Sequence, residues 1–351
     1  MKILIIGKYY QDSFATHIYE TLVDMNYMTE KYEIPNLTNL ITSKSIFIAR
    51  LAQIIGFVEK AIESIYFFRT LKFAKLYKYV EANKYNLIIV TYDYFWPIEI
   101  DNLKSKNNTK IVMWFPDAIS NLGKSFFIVS NYDAVFFKDP FIVKTLSNVI
   151  KSKVYYLPEC YNPKKHSLNG ETIDEKYICD LTTAGNQHSW RVAFFENLKE
   201  YNLKFWGLKQ PVWMPNNFLF ESYQGNPVHN FEKAKAFLGA KIVINNLHFS
   251  EIWGLNVRCF EAAGIGAFQL VDWRPGLDDL YIDGEEIISF KGIIDLKTKI
   301  NYYLKNPLER KIIAERAKLR TQKDHTYERR LKQLIECVYN NIESFKIPNH
   351  I

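Results

Sequence analysis

Cysteine is scarce. The four in 351 residues, Cys160, Cys179, Cys259 and Cys337, are scattered and make no Cys-x-x-Cys pair. That spacing argues against a zinc knuckle, a redox dithiol or a disulfide-built scaffold, and a reducing cytoplasm is the expected setting. No uncharged apolar stretch reaches the roughly 18 residues of a membrane span, so any membrane contact is expected to be peripheral. The first apolar run, Ile3-Leu4-Ile5-Ile6, is too short for a signal peptide and reads as a buried strand. After it, Gly7-Lys8-Tyr9-Tyr10 lacks the Gly-x-Gly-x-x-Gly turn that a dinucleotide pyrophosphate requires, which disfavours an NAD-dependent dehydrogenase. Internal repeats and low-complexity tracts are also missing. There is no RNP, helix-turn-helix or zinc signature, so nucleic acid is not an expected partner.

What is present is an ordinary globular composition, 48% hydrophobic and 24% charged, which excludes a disordered or fibrous chain. The length suggests about two domains. Aromatic residues are abundant at 16%, with 23 Tyr and 25 Phe, and 45 Lys+Arg against 38 Asp+Glu leave a net charge of +7. A basic balance suits an anionic ligand or surface. A lysine-, isoleucine- and aromatic-rich composition from an AT-rich genome accounts for it equally well.

Short β-branched or aromatic runs alternate with helical patterns, as in parallel α/β sheets. One set of strands is expected at Lys2 to Ile6, Asn86 to Thr91, Lys110 to Phe115, Asp133 to Phe137 and Val154 to Leu157. A second is expected at Tyr177 to Thr183, Leu203 to Gly207, Lys241 to Asn245, Ala267 to Val271 and Glu286 to Phe290. Glu159 to Gly170 is polar and turn-rich and reads as a linker. The expected organisation is an N-terminal Rossmann-like domain over 1–165, a second over 166–325, and a C-terminal helix over 326–351 packing back towards the first. Asn306-Pro307-Leu308-Glu309 has the pattern of a capping box with proline at the first helical position. From Lys44 to Lys84, Ile48, Leu51, Ile55, Val58, Ile62, Ile65, Phe68 and Leu71 recur at helical spacing among lysines and aromatics. The stripe is read as core-facing, with a membrane-surface or acceptor-binding face as the alternative.

The most informative segment runs from Ile244 to Asp272. A strand ends in Asn245 and Asn246, a glycine-containing turn follows, and a helix of small residues leads into the next strand. Asn256 and Arg258 fall at the helix start and Glu261 one turn later. Free N–H groups and partial positive charge at a helix N-terminus suit a phosphate. Arg258 adds a charge-assisted contact, and a carboxylate at 261 can accept from both hydroxyls of a ribose.

Three patterns carry a family resemblance: Asn256-x-Arg258-x-x-Glu261-Ala262-x-x-Gly264-x-Gly266, then Asp272-x-Arg274-Pro275-Gly276-Leu277 through Asp283-Gly284-Glu285-Glu286, then His325-Thr326-Tyr327-x-x-Arg330. The chain resembles the CgeB-like, spore-maturation-type glycosyltransferases of the group-1, GT-B class. The resemblance is densest from Tyr177 to Arg330, with Gly185-Asn186 and Trp206-Gly207 at strand ends, and extends to Trp114-Phe115-Pro116-Asp117. It implies an α/β fold of two Rossmann-like doubly wound domains facing across a cleft, and transfer of a sugar from a nucleotide-sugar, UDP- or GDP-linked, to a glycan, lipid-linked or protein acceptor in envelope or surface polysaccharide synthesis. On this reading Glu261 binds the ribose, and Arg258, Arg274 and the backbone at Gly276 serve the diphosphate. The nucleotide-sugar is a co-substrate, with no cofactor besides. No Asp-x-Asp metal motif occurs, so metal-independent transfer is expected, with arginines and fixed dipoles stabilising the leaving group.

One position departs from the family pattern. Eight residues before Glu261, where many group-1 retaining enzymes carry a glutamate, stands Trp253, and the nearest acidic residue is Glu251. Retaining stereochemistry is therefore open, and so are a catalytically silent nucleotide-sugar-binding protein and a GT-B epimerase. Further candidates are His17, as a base or donor contact or a helix-surface histidine, and Asp117, as a general base or a turn carboxylate. His248 and Arg191 are candidates for the diphosphate, or merely for a loop and a surface pair. Trp206 and Trp253 either stack on a base or only pack.

Overall fold

The computed structural model describes residues 1–34, 58, 61, 64–106, 108–123, 125–211, 213–214, 218–340 and 342. The strands are β1 (Lys2–Gly7), β2 (Met28–Glu33), β3 (Leu87–Val90), β4 (Lys110–Phe115), β5 (Ala134–Phe137), β6 (Lys153–Tyr156), β7 (Cys179–Ala184), β8 (Leu203–Trp206), β9 (Ala240–Asn245), β10 (Gln269–Asp272) and β11 (Ile288–Phe290). They form two sheets, ordered β2-β1-β3-β4-β5-β6 and β11-β10-β9-β7-β8. Registers such as Ile3↔Leu87 and Leu181↔Ile242 are parallel. The helices are α1 (Phe14–Asp24), α2 (Tyr66–Asn83), α3 (Pro97–Lys106), α4 (Pro140–Leu146), α5 (Ser189–Phe195), α6 (Phe218–Ser222), α7 (Asn230–Leu238), α8 (Val257–Ile265), α9 (Gly292–Lys305), α10 (Pro307–Asp324) and α11 (Tyr327–Asn340). The chain divides into two compact units, Met1–Trp114 with Ser125–Val135, and Phe115–Lys124 with Phe136–Ile351.

The central strands form as expected because their runs are apolar on both faces: Ile3 to Ile6 and Leu87 to Val90 are wholly buried. Strand β2 was not expected. Its sequence Met-Thr-Glu-Lys-Tyr-Glu alternates exposed and half-buried positions at the sheet edge, where charged side chains are the rule and the apolar signal disappears.

Three further expectations need correction. Within the 44–84 stretch, 44–57, 59–60 and 62–63 lie outside the described residues, but Val58, Ile65, Phe68 and Leu71 are exposed. The buried stripe of α2 is instead Arg69, Phe73, Leu76 and Val80. The buried Arg69 guanidinium fixes that phase by bonding Glu99 of α3 at 2.8 Å. Asn306 does not cap α10: its amide donates to the Tyr302 carbonyl, and Glu309 accepts from the Tyr302 hydroxyl, although Pro307 takes the first helical position. The stretch from Glu159 to Gly170 is not a solvated tether throughout, since Glu159, Cys160, Tyr161, Asn162 and His166 are buried.

The second unit is tied together at Tyr161 and Arg330. Tyr161 bridges Thr326 through backbone bonds to the His325 carbonyl and from the Tyr327 N–H. Arg330 is wholly buried and donates to the carbonyls of Pro158, Asp324 and Glu159 and to Nδ1 of His325. His325 therefore carries its proton on Nε2, which faces the Leu280 carbonyl at 3.0 Å. Burial and the Arg330 charge push its pKa down to about 3. Tyr155 of β6 donates to the Cys337 carbonyl of α11.

Helix α8 packs its small residues against Tyr161. A Cβ on Gly264 would lie 2.6 Å from that ring, a contact neither the helix backbone nor the buried ring can relieve without moving. Gly264→Ala is expected to lower stability by about 1–3 kcal/mol. Gly123→Ala, where a Cβ meets nothing within 4 Å, is expected to cost nothing measurable; urea midpoints compare the two, and equal midpoints would refute the packing argument. Arg330→Met strands three buried carbonyls and is expected to cost about 3 kcal/mol or more, read as a fall in midpoint at constant slope.

Candidate anion-binding site

In the second sheet β7 lies between β8 and β9. The connection after β7 runs to β8 and the one after β9 runs to β10 on the opposite side, and the carboxyl ends of strands at such a switch point are where doubly wound sheets bind ligands. Both ends are built for close approach. Gly185, just after β7, has φ +126°, and a Cβ on it would lie 2.8 Å from Arg191 Nη1 and 2.9 Å from Arg258 Nη2. A Cβ on Gly207, after β8, would lie 1.8 Å from the Gly185 carbonyl oxygen, and Gly185 N–H donates to the Trp206 carbonyl. Two glycines thus leave room for two guanidiniums.

Arg191, from α5, donates to Thr183 Oγ1 at 2.6 Å, Asn246 Oδ1 at 3.2 Å and the carbonyls of Ala184 and Asn186, and lies over the Phe205 ring. Arg258, in the first turn of α8, donates to the Ala184 carbonyl at 2.9 Å and Asn245 Oδ1 at 3.0 Å. All of these acceptors are neutral. Among the described residues neither guanidinium reaches a carboxylate at ion-pair distance. Burial, then the charge of Arg258, holds Arg191 well below the usual guanidinium range. Burial brings Arg258 down to about 10, with Glu261 offsetting part of the fall. Arginine keeps its proton in proteins, so these shifts express a standing electrostatic cost that a bound anion would relieve.

The cavity in front of them holds about 320 Å³. Its lining carries the cationic Arg191 and Arg258, the acidic Asp117 and Glu251, and Asn186, His188, Asn246, His248, Asn256, Ala118, Ser120 and Asn121. Among the described residues two buried polar atoms of this lining have no partner, Asn246 Nδ2 and Glu251 Oε2. A donor and an acceptor left unsatisfied in a cavity of this size point to a polar ligand. Burial, Arg191 and His248 together lower the pKa of His188.

The loop bearing Glu251 is held from β5 and α4. Asp139 caps α4 through the Phe141 N–H at 2.9 Å and also accepts from the backbone N–H groups of Ile252 and Trp253. A Cβ on Gly254 would lie 2.7 Å from the Lys138 carbonyl. The buried Lys138 ammonium sits 2.7 Å from Glu251 Oε1. Burial alone would lower the lysine, but Glu251 and Glu159 outweigh it and the pKa is raised. Burial pushes the Glu159 carboxyl up to about 8, against the pull of Lys138 and with help from Asp117, Glu251 and Glu261.

Of the residues expected from sequence, the structure gathers Asp117, Asn186, Arg191, His248, Asn256 and Arg258 on one cavity, with Gly185 beneath the two arginines. Asn256 is the N-cap of α8, and its side chain accepts from the Cys259 N–H while donating to Asn245. Glu261, Arg274 and Gly276 are not among the lining residues. Glu261 is buried on α8, 2.7 Å from Lys233 Nζ and 3.6 Å from His166 Nε2. Arg274 pairs with Asp272 and donates to the Glu251 carbonyl. The Gly276 N–H is taken by the Trp253 carbonyl. His17, in the first unit, is buried rather than on a helix surface, with Nε2 2.8 Å from Asp12 Oδ1. Both tryptophans pack, Trp206 on Tyr177 and Trp253 on Phe141.

Sequence reasoning passed over Lys138, Asp139, Glu159, Asn246 as a free donor, and Lys233. Only Asp139-Pro140, a helix-capping residue followed by proline, carried a readable signal.

Residues 189–336 match the model of a family described as glycosyl transferase-like. No curated protein matches the sequence. Among solved structures the chain is similar to sucrose-phosphate synthase from Thermosynechococcus elongatus, at 13% identity and a TM-score of 0.64, over 97% of this chain and 100% of that one. It is similar also to a glycosyltransferase from Rickettsia africae, at 13% identity and 0.66, over 97% and 98%. Anabaena HepE in complex with UDP gives 11% identity and 0.63, over 97% and 100%. At these identities the likeness is one of fold. The chain is a two-domain α/β protein of the GT-B glycosyltransferase fold, and its residues 189–336, which carry Arg191, Arg258 and half of the cavity lining, match the glycosyl transferase-like family.

Proposed function

We propose that the chain is a glycosyltransferase that binds the diphosphate of a nucleotide-sugar at Arg191 and Arg258 and transfers the sugar to a glycan, lipid-linked or protein acceptor. One observation carries this reading. Two guanidiniums at a strand switch point, Arg191 buried and Arg258 half-buried, face a cavity, have only neutral acceptors, and stand beside an unpartnered amide donor. A diphosphate supplies the missing countercharge and enough oxygens for both guanidiniums and Asn246. HepE, similar in fold, binds UDP and UDP-glucose, which favours a UDP-sugar over a GDP-sugar.

On this reading the diphosphate contact shifts from Arg274 and Gly276, which are engaged elsewhere, to Arg191 and Arg258. Glu261, steadied by Lys233, takes the ribose. Glu251 Oε2 accepts from a sugar hydroxyl. Asp117 takes the proton of the acceptor hydroxyl as general base, and His17 is the acceptor-side candidate in the first unit. Fixed guanidiniums stabilise the departing diphosphate, so the reading includes no metal. A cytoplasmic setting agrees with four buried cysteines, none in a disulfide. A CgeB-like role in envelope or surface polysaccharide synthesis is the biological form of the proposal. A silent nucleotide-sugar binder is the second reading, favoured by Trp253 at the position of the family glutamate.

Calorimetric titration with UDP and with inorganic pyrophosphate separates the two binding assignments. Arg258→Gln is expected to weaken both ligands by roughly 10- to 100-fold, the worth of a charge-assisted hydrogen bond. Glu261→Gln is expected to weaken UDP by about tenfold and leave pyrophosphate unchanged. If neither UDP nor GDP binds or stabilises the protein, the reading fails. Asp117→Asn is expected to lower turnover by about 10²- to 10⁴-fold at unchanged donor affinity. Unaltered turnover would remove Asp117 from the mechanism, and donor binding without turnover on any acceptor extract would favour the silent binder.

A further inference from the structure

Helix α2 carries an apolar surface that the described residues leave exposed. Residues Ser64 through Phe68 are all exposed, and four of the five are large and apolar: Ile65, Tyr66, Phe67 at 64% and Phe68. Leu71 follows one turn later at 57%. The rings of Phe67 and Phe68 pack edge to face on each other, 5.5 Å apart. The helix is held from the other side, where Arg69, Phe73, Leu76 and Val80 are buried and Arg69 lies over Trp96. At about 100° per residue, Phe67, Leu71, Lys75 and Lys78 project directly away from that stripe, with Phe68 beside them. Lys75 and Lys78 are exposed, and Glu81 is the single acidic residue of the helix. The outer face is thus aromatic and aliphatic in its first turns and cationic beyond.

We propose that this face of α2 docks the chain on an anionic lipid surface, lying in the interfacial plane. Aromatic rings favour the headgroup level, apolar side chains gain by entering the acyl boundary, and each lysine is drawn to a negative leaflet. Charge selects this occupant over a second copy of the chain, because a negative leaflet complements Lys75 and Lys78, whereas the same stretch of a second copy, residues 64–78, brings further cations and no carboxylate to meet them. No described helix is long and apolar enough to cross a membrane. The contact uses none of the donor-site residues and survives if the transferase reading fails.

Flotation of the full chain with vesicles tests the proposal. The chain is expected to float with vesicles of phosphatidylcholine mixed with phosphatidylglycerol and to release in high salt, while phosphatidylcholine alone retains little. Lys75→Glu/Lys78→Glu is expected to reduce the bound fraction on mixed vesicles about tenfold or more, and Phe67→Ser/Phe68→Ser to abolish it. Both variants alter exposed side chains, so their thermal midpoints should match the parent chain and exclude unfolding as the cause. No binding to mixed vesicles, equal binding to both compositions, or variants that bind like the parent would each overturn the proposal. So would a concentration-dependent dimer that Phe67→Ser/Phe68→Ser disrupts while lipid is ignored, which would assign the face to a second copy.

Discussion

Two like charges set side by side, one buried and one half-buried, govern the second unit. Arg191 and Arg258 come from different helices, α5 and α8, and converge on one glycine, so each has lost water and each raises the cost of the other. Everything around them is arranged to tolerate that cost without cancelling it. Thr183, the Ala184 carbonyl, Asn245 and Asn246 supply dipoles, and Phe205 supplies an aromatic face. A carboxylate in any of those places would neutralise the pair and close the site to anions. Neutral acceptors orient the guanidiniums and leave the charge unspent.

The acidic part of the lining is organised by a complementary device. Lys138 is the ammonium against which Glu251 and Glu159 are set, with Asp117 close enough to add to the field. Two buried carboxyl groups, Glu159 and Glu251, and the half-buried Asp117 compete for one cation. The lysine sits on Glu251, and the pKa of Glu159 is the one pushed up. The cavity therefore presents cationic and anionic groups together, each supported by residues behind it.

Much of this was legible in the sequence, and the limits have physical causes. The inner strands announced themselves because burial on both faces demands continuous apolar runs. The segment from Asn245 to Gly266 was readable because an Asn cap, a first-turn arginine and small helix residues are local signals. Strand β2 was illegible because an edge strand needs no apolar pattern. The stripe through Ile65, Phe68 and Leu71 misled because period alone does not reveal phase, and a buried arginine rather than an aliphatic residue set the phase of α2. Lys138 and Glu251 stand 113 residues apart in sequence, and nothing local in either marks the other. Arg330, whose pattern carried part of the family resemblance with no role attached, is a clamp on carbonyls, a role that only the folded backbone reveals.

Asp139 joins two events that would otherwise be independent. The same carboxylate satisfies an N–H at the start of α4 and the N–H groups of Ile252 and Trp253. Oδ1 takes the Phe141 N–H that starts the helix, while Oδ2 takes the two loop N–H groups, so the helix cap orients the carboxylate that the loop hangs on. The free energy of lifting the loop that carries Glu251 therefore includes two hydrogen bonds to a charged acceptor, each worth more than a neutral one, as well as the loop's own contacts.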